Sequence, residues 1–376
     1  MFYGENKIEV IFVAMTTEKR YPVGTLRDFS YSIFKKIGCS DADASLATEV
    51  LLSADLRGID SHGLARLSGY VRLWEANRIN ATPNIQVVHE SPSTAVLDGD
   101  SGLGLVVAPK AMELAIAKAE KAGTGWVAVR NSNHFGIAGY HSMMALKHDM
   151  IGWAMTNASP LVAPTFSVER LLGTNPISIA IPADKEPPFV LDMATTTAAN
   201  GKLEILQRKN KDAPEGWIQT KEGKSSTNPH ELKEGGALIP LGSDYEHGSH
   251  KGYGLGAMVD ILSAVLSGAN YGPWVPPFVA FLQPPADPVG KGIGHFVGAM
   301  RVDAFRPAKE FKQHMDNWIK RFKSAKAAEG YDHVVIHGEP ERIMQAQRQE
   351  QGIPLNPKVV EDLQTLASKF NSEIRL

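Results

Sequence analysis

A single cysteine, Cys39, stands in 376 residues. That excludes an intramolecular disulfide framework and fits a reducing compartment. Gly38 and Ser40 flank it, so it reads as a structural residue in a helix-to-helix turn. Charge of one sign is also lacking: 39 Lys and Arg stand against 41 Asp and Glu, a formal net charge of −2. No basic excess is left for a nucleic-acid footprint. Long apolar runs are missing as well. Ile8 to Met15 is too short to span a bilayer and lacks the basic opening of a signal peptide. Met15 opens a more typical polar start, so residues 1–14 read as an upstream extension or an added strand. No other run reaches transmembrane length, and a cytoplasmic protein without a membrane partner is expected. The twelve histidines include no HExxH or other tight ligand spacing, so no metal site is expected. Internal repeats and low-complexity tracts are absent.

What is present is an ordinary globular balance, 43% hydrophobic and 21% charged, over a length that allows about two or three domains. One stretch organises the rest: Trp126 to Tyr140, WVAVRNSNHFGIAGY. It opens as a short alternating strand, Trp126 to Val129, breaks at Arg130 to Asn133, and delivers His134 before a helix-compatible run from Ile137. A strand, a polar loop with one imidazole and a helix is a rigid base for a proton-transfer group. A hydrogen-bonded loop histidine is the plainer alternative.

Upstream, Asp55 to Tyr70 reads DLRGIDSHGLARLSGY. Ser61 suits an N-cap, which makes His62 the first helical residue and sets His62 and Arg66 on one face at i and i+4. Leu67, Tyr70, Val71 and Trp74 form a face suited to burial. The dipole at a helix start favours a neutral imidazole, and Arg66 offers a bidentate fork for a carboxylate. A surface His and Arg on an amphipathic helix remain the alternative.

Thr25 is expected to cap a first helix, and Ser40 with Asp43 a second that runs through Leu56. These two helices and the Ser61 helix form a small helical N-terminal unit, residues 1–90, packing with C-terminal helices in 305–376. Residues 91–304 form the sheet domain. Gly99 to Ala108 leads into an amphipathic helix with Met112, Ala115, Ile116 and Ala119 on one face and Gly123 at its end. This stretch resembles a dinucleotide fingerprint, but Val107 stands where the third glycine belongs, and the next strand ends in Arg130 rather than an acid. A Rossmann unit is therefore not expected there. Strands are expected at 151–156, 176–182 and 188–193, a surface excursion at 209–236, and a very apolar helix at 258–266.

In order along the chain come SHGLARLSGY, GLGLVVAPKAM, VRNSNHFGIAGYH, GTNPISIAIP, FVLDMATT and HKGYGLGAMVDIL. Together they resemble the type 2 malate/L-lactate dehydrogenase family, which also holds ureidoglycolate, sulfolactate and diketogulonate oxidoreductases. The resemblance spans roughly residues 20 to 345. It implies a mixed α/β, non-Rossmann fold with a large mixed or antiparallel sheet, NAD or NADP as cofactor, and a homodimer. It also implies interconversion of a small 2-hydroxy acid with its 2-oxo acid, malate/oxaloacetate first, then lactate/pyruvate and ureidoglycolate. By the same resemblance Ser159 lies near substrate, with Ser61 and Arg66. The Gly173-Thr174-Asn175 turn, Asp192, Met193, Ala194, Thr195, Lys251, Gly252, Gly338 and Glu339 lie near cofactor. The family carries a basic residue where this chain has Asn200, which puts the contacts of that helix in question.

A histidine serves proton transfer in both directions near neutral pH, and His134 is the first choice, with His62 as second donor or orienting group. A metal-dependent lyase or hydrolase and a non-catalytic nucleotide-binding protein are the competing classes.

Overall fold

The computed structural model describes residues 19–373. The apolar stretch at 8–15 and the extension at 1–14 lie outside them. The first strand β1 (Arg20–Tyr21) leads into helices α1 (Val23–Lys36) and α2 (Asp41–Leu56). Pro22, not Thr25, precedes α1. The start of α2 follows the capping rule: Ser40 Oγ accepts from Asp43 N–H at 3.1 Å and bonds the Asp43 carboxylate at 2.9 Å. Helix α3 (Leu67–Glu75) comes next.

Strands β2 (Gln86–Glu90) and β3 (Thr94–Asp98) are followed by α4 (Gly104–Ala122) and β4 (Thr124–Ser132). Gly123, left-handed at φ 85°, closes α4. Then come α5 (Ala138–Met143), β5 (Met150–Thr156), β6 (Ile177–Ile181), β7 (Phe189–Met193) and α6 (Asn200–Lys209). Short strands β8 (Ile218–Gln219), β9 (Ser225–Ser226) and β10 (Ala237–Leu238) form a small separate sheet. The chain ends through α7 (Ser249–Asp260), β11 (Ile293–Arg301), α8 (Ala308–Lys323), α9 (Glu339–Gln351), β12 (Ile353–Pro354) and α10 (Pro357–Lys369).

The large sheet has seven strands in the order β2-β3-β4-β11-β5-β6-β7. Only β3 and β4 run parallel, joined by the α4 crossover; the other neighbours are antiparallel. The architecture is mixed α/β and not a doubly wound Rossmann sheet, which would be mostly parallel. The face predicted for α4, with Met112, Ala115, Ile116 and Ala119, is buried against Val127, Val129 and Val297. The helical core joins Leu26, Phe29 and Ile33 to Leu363 and Leu366 of α10, and β1 pairs antiparallel with β12. Helix α8 instead serves the sheet: the Asp316 carboxylate accepts the amides of Asp184, Lys185 and Glu186.

Two further local expectations are corrected. The helix at Ser61 does not begin there. Residues 61–63 form turns, Leu64–Arg66 is a 3₁₀ turn, and α3 starts at Leu67. The buried Asp55 carboxylate takes the Leu64 N–H at 2.8 Å, doing from a distance what a local cap would do. His62 and Arg66 are therefore not successive turns of one helix. The 209–236 excursion is also more than surface: Ala213, Ile218, Val162, Leu203 and Leu238 bury one another in a satellite core. Its charge-rich composition hid an apolar side of few residues.

Candidate active site

Strand β4 carries the chain to Ser132, and the polar residues after it form the loop that presents His134. Asn133 fixes that loop by donating to the carbonyls of Ser101 (2.9 Å), Gly102 (3.0 Å) and Arg78 (3.3 Å). His134 Nδ1 meets Tyr70 Oη at 2.7 Å and the Gly136 N–H at 3.3 Å. In the neutral ring the Gly136 donor favours a bare Nδ1, which puts the ring proton on Nε2.

His62 stacks on His134, with ring centroids 5.5 Å apart and planes 24° apart. Its Nδ1 bonds Ser61 Oγ at 2.8 Å, and Arg66 Nε donates to the Ser61 carbonyl at 2.6 Å. The turn holding these three residues is pinned from α9, where buried Arg348 bonds the Asp60 carboxylate and the Asp55 carbonyl. Although 64 residues separate Tyr70 from His134, the fold brings Ser61, His62, Arg66 and His134 together.

Burial lowers both imidazole pKa values. His62 falls to about 4, helped by the Arg66 charge. His134 falls well below 6.5 through burial and then through His62 and Arg66. Both rings are neutral at pH 7 without substrate. Burial pushes the Tyr70 phenol up, so it keeps its proton. An anionic ligand beside Arg66 offsets the charges that hold the rings neutral.

Ser159 reaches the cluster indirectly. Its Oγ accepts the Phe278 N–H at 3.0 Å, and the Phe278 ring lies 4.8 Å from His134 and 6.0 Å from the Arg66 guanidinium carbon. The start of α6 adjoins as well: a Cβ on Gly201 would overlap the Ser61 side chain.

The second group of candidates interlocks. Thr195 donates its N–H to Thr174 O at 2.9 Å and its hydroxyl to Asn175 O at 3.1 Å. Fully buried Asn175 donates to Gly256 O of α7 at 2.9 Å and accepts from Ala158 N–H at 3.1 Å. Its side chain thus braces the Gly173 to Asn175 turn against α7. Gly252 is buried near Leu241 on the same helix, and Lys251 is exposed in its first turn, with no ion pair among the described residues. Asp192 accepts the Gly139 N–H at 2.7 Å at the start of α5, the helix that follows His134. Burial pushes its carboxyl up to about 6, against the backbone bond and the Arg57 charge. Half-buried Met193 and Ala194 continue from it. Gly338 and Glu339 stand apart, at the far end of β7 beside Val190. The Glu339 carboxylate is engaged by Lys323 at 3.1 Å and His333 at 3.4 Å.

These residues fit a nicotinamide nucleotide. Asp192 to Ala194 lead from the His134 loop toward α7, where Lys251, without an ion pair among the described residues, would offer a phosphate partner at a helix start. The start of α4 packs directly on the loop that bears His134: a Cβ on Gly104 would overlap the Asn133 and His134 carbonyls. No group of three His, Cys, Asp or Glu side chains among the described residues is placed to hold a metal ion. No helix there is long and apolar enough to cross a membrane.

Sequence reasoning missed Phe278, Asp55 and Arg348 as parts of the site. Tyr70 carried a signal, an aromatic with a polar tip on a buried face, and a buried hydroxyl needs a partner.

A model of the malate/L-lactate dehydrogenase family matches residues 21–364. Malate dehydrogenase of Pyrococcus horikoshii is 43% identical over 355 residues, 94% of this chain and 96% of that one. L-sulfolactate dehydrogenase of Methanocaldococcus jannaschii is 39% identical over 343 residues, 91% of this chain and 94% of that one. The solved malate dehydrogenase of P. horikoshii superposes with a TM-score of 0.86 at 39% identity, covering 99% of both chains.

Proposed function

The chain belongs to the malate/L-lactate dehydrogenase family, and from that premise we propose malate and oxaloacetate as its first substrate pair. It is a nicotinamide-dependent oxidoreductase that interconverts a small 2-hydroxy acid with its 2-oxo acid. Either NAD or NADP serves in this reading. The observation that carries it is the stacked His134–His62 pair with Arg66 beside it.

Arg66 holds the substrate carboxylate through the guanidinium nitrogens left free of Ser61, with Ser61 at the edge of that site. His134 holds the proton at the 2-oxygen, giving it during reduction and taking it during oxidation. Tyr70 serves each form of the ring: its hydroxyl donates to a bare Nδ1 in the resting ring, and its oxygen accepts from Nδ1–H when Nε2 is bare to take the substrate proton and when the ring is charged. His62, its ring stacked 5.5 Å from the His134 ring, orients the same oxygen. A nicotinamide bound here would supply or receive the hydride at the second carbon. Gly173, Thr174, Asn175, Asp192, Met193, Ala194, Thr195, Lys251 and Gly252 would hold it, with Gly338 and Glu339 at the outer end.

The described residues within 1–90 and 305–376 act as one helical unit over the 91–304 sheet, with the site between them. The pairing of β1 with β12 and the shared core of α1 and α10 support this; α8, which serves the sheet, and β2, which is the sheet's edge strand, are exceptions. A homodimer fits the apolar side chains left on the surface: Ile261, Val265 and Leu266 are each more than half exposed. Size-exclusion chromatography with light scattering tests it. A cytoplasmic location agrees with Cys39, whose thiol burial pushes up to about 11 and keeps unreactive.

Nicotinamide absorbance, followed with NADH and NADPH against oxaloacetate, pyruvate, glyoxylate and 2-oxoglutarate, tests the activity. No change with any pair would overturn the reading.

A further inference from the structure

We propose that Phe278 is the wall that decides which 2-oxo acids the site accepts, and that Arg78 and Ser159 hold it there. The proposal rests on the dehydrogenase reading above. Phe278 follows Pro276 and Pro277, whose fixed φ angles stiffen the approach. Its N–H is taken by Ser159 Oγ at 3.0 Å. Arg78 then gathers the carbonyls on both sides: Pro277, Val279 at 3.4 Å and Leu282 at 3.3 Å. One guanidinium thereby fixes the course of residues 277–282, a segment with no helix or strand of its own.

Held this way, the chain turns Phe278 inward while Phe281 remains 83% exposed. The Phe278 ring meets Tyr70 edge-on at 5.2 Å, His134 at 4.8 Å and the Arg66 guanidinium carbon at 6.0 Å. It lies over the backbone of Gly69, where any side chain would overlap it. Arg66 and His134 fix the carboxylate and the 2-oxygen of a bound acid, so the substituent on the third carbon must leave past the remaining side. Phe278 touches both fixing residues and occupies that side. A ring offers no donor to a polar substituent, so it acts by volume: short substituents pass and bulky ones collide. A wall of this kind discriminates by about 10- to 200-fold per added group.

The test compares kcat/KM for oxaloacetate with kcat/KM for phenylpyruvate and 4-methyl-2-oxopentanoate in wild type, Phe278→Ala, Phe278→Leu and Arg78→Ala. The bulky-to-small ratio should rise about 10-fold or more in Phe278→Ala and less in Phe278→Leu. It should move the same way in Arg78→Ala, which never touches substrate; loss of stability alone lowers all rates together and leaves the ratio fixed. If Phe278→Ala does not fold, Phe278→Leu decides. Unchanged ratios in folded Phe278 variants overturn the wall, and an unchanged ratio in Arg78→Ala overturns the holding role of Arg78. Absence of turnover by the wild type with every acid overturns the dehydrogenase reading instead.

Discussion

Tyr70 Oη lies 2.7 Å from His134 Nδ1, and this bond joins the helical unit to the loop that leaves the sheet. Tyr70→Phe keeps the ring and removes the bond. The loss of one buried hydrogen bond costs about 1 kcal/mol, roughly a fivefold fall in kcat. Cofactor affinity, read by fluorescence titration, should stay as it was. A kcat equal to wild type would show that the hydroxyl plays no part in holding the ring.

His134→Asn should lower kcat by about 100-fold or more, the scale for a positioned acid–base group. Nicotinamide binding should change little, since the variant keeps a polar side chain at the same loop position. Near wild-type turnover in this variant would transfer the proton role to His62.

Arg66→Lys should act mainly on KM for the acid. Lysine keeps the charge but loses the fork and the bond to Ser61 O. A loss of about 1.5–3 kcal/mol, or roughly 10- to 150-fold in KM, is the range for a charged hydrogen bond. Steady-state kinetics at fixed cofactor decide, and an unaltered KM would mean that Arg66 does not meet the substrate.

The pH dependence has a definite sign. Burial, His62 and Arg66 hold the His134 pKa below 6.5 in the free enzyme. Oxidation needs the neutral ring, so kcat/KM for the 2-hydroxy acid should stay level from about pH 8 to about pH 6.5 and fall only in more acid solution. Reduction needs the protonated ring, so kcat/KM for the 2-oxo acid should climb about tenfold per pH unit over the same fall. An oxidation limb that breaks above about pH 7 would contradict a depressed histidine as its base.

Gly63→Ala should remove activity and stability together. A Cβ at Gly63 would overlap the buried Asp55 carboxylate, which holds the Leu64 N–H and with it the turn bearing His62. Overpacking of this kind costs about 1–3 kcal/mol. Thermal melting and kcat should both drop; an unchanged melting temperature would show that the turn yields freely.

The sequence by itself determined the local pieces. The Ser40 and Asp43 spacing placed the start of α2, the apolar period placed the buried face of α4, and Gly123 placed its end. The strand–loop–helix frame of His134 was legible for the same reason: periodicity and caps are set by neighbours within a few residues. The missing third glycine and missing acid likewise argued against a Rossmann unit, and the largely antiparallel sheet agrees. Only the tertiary structure decided the site. Asp55 overrode Ser61 as the cap because a buried carboxylate must take whatever donor packing brings to it. Arg348 reaches Asp60 across 288 residues, and Phe278 reaches His134 from a proline-rich segment with no period at all. Such contacts depend on how helices and sheet close on one another, and no local pattern encodes that distance.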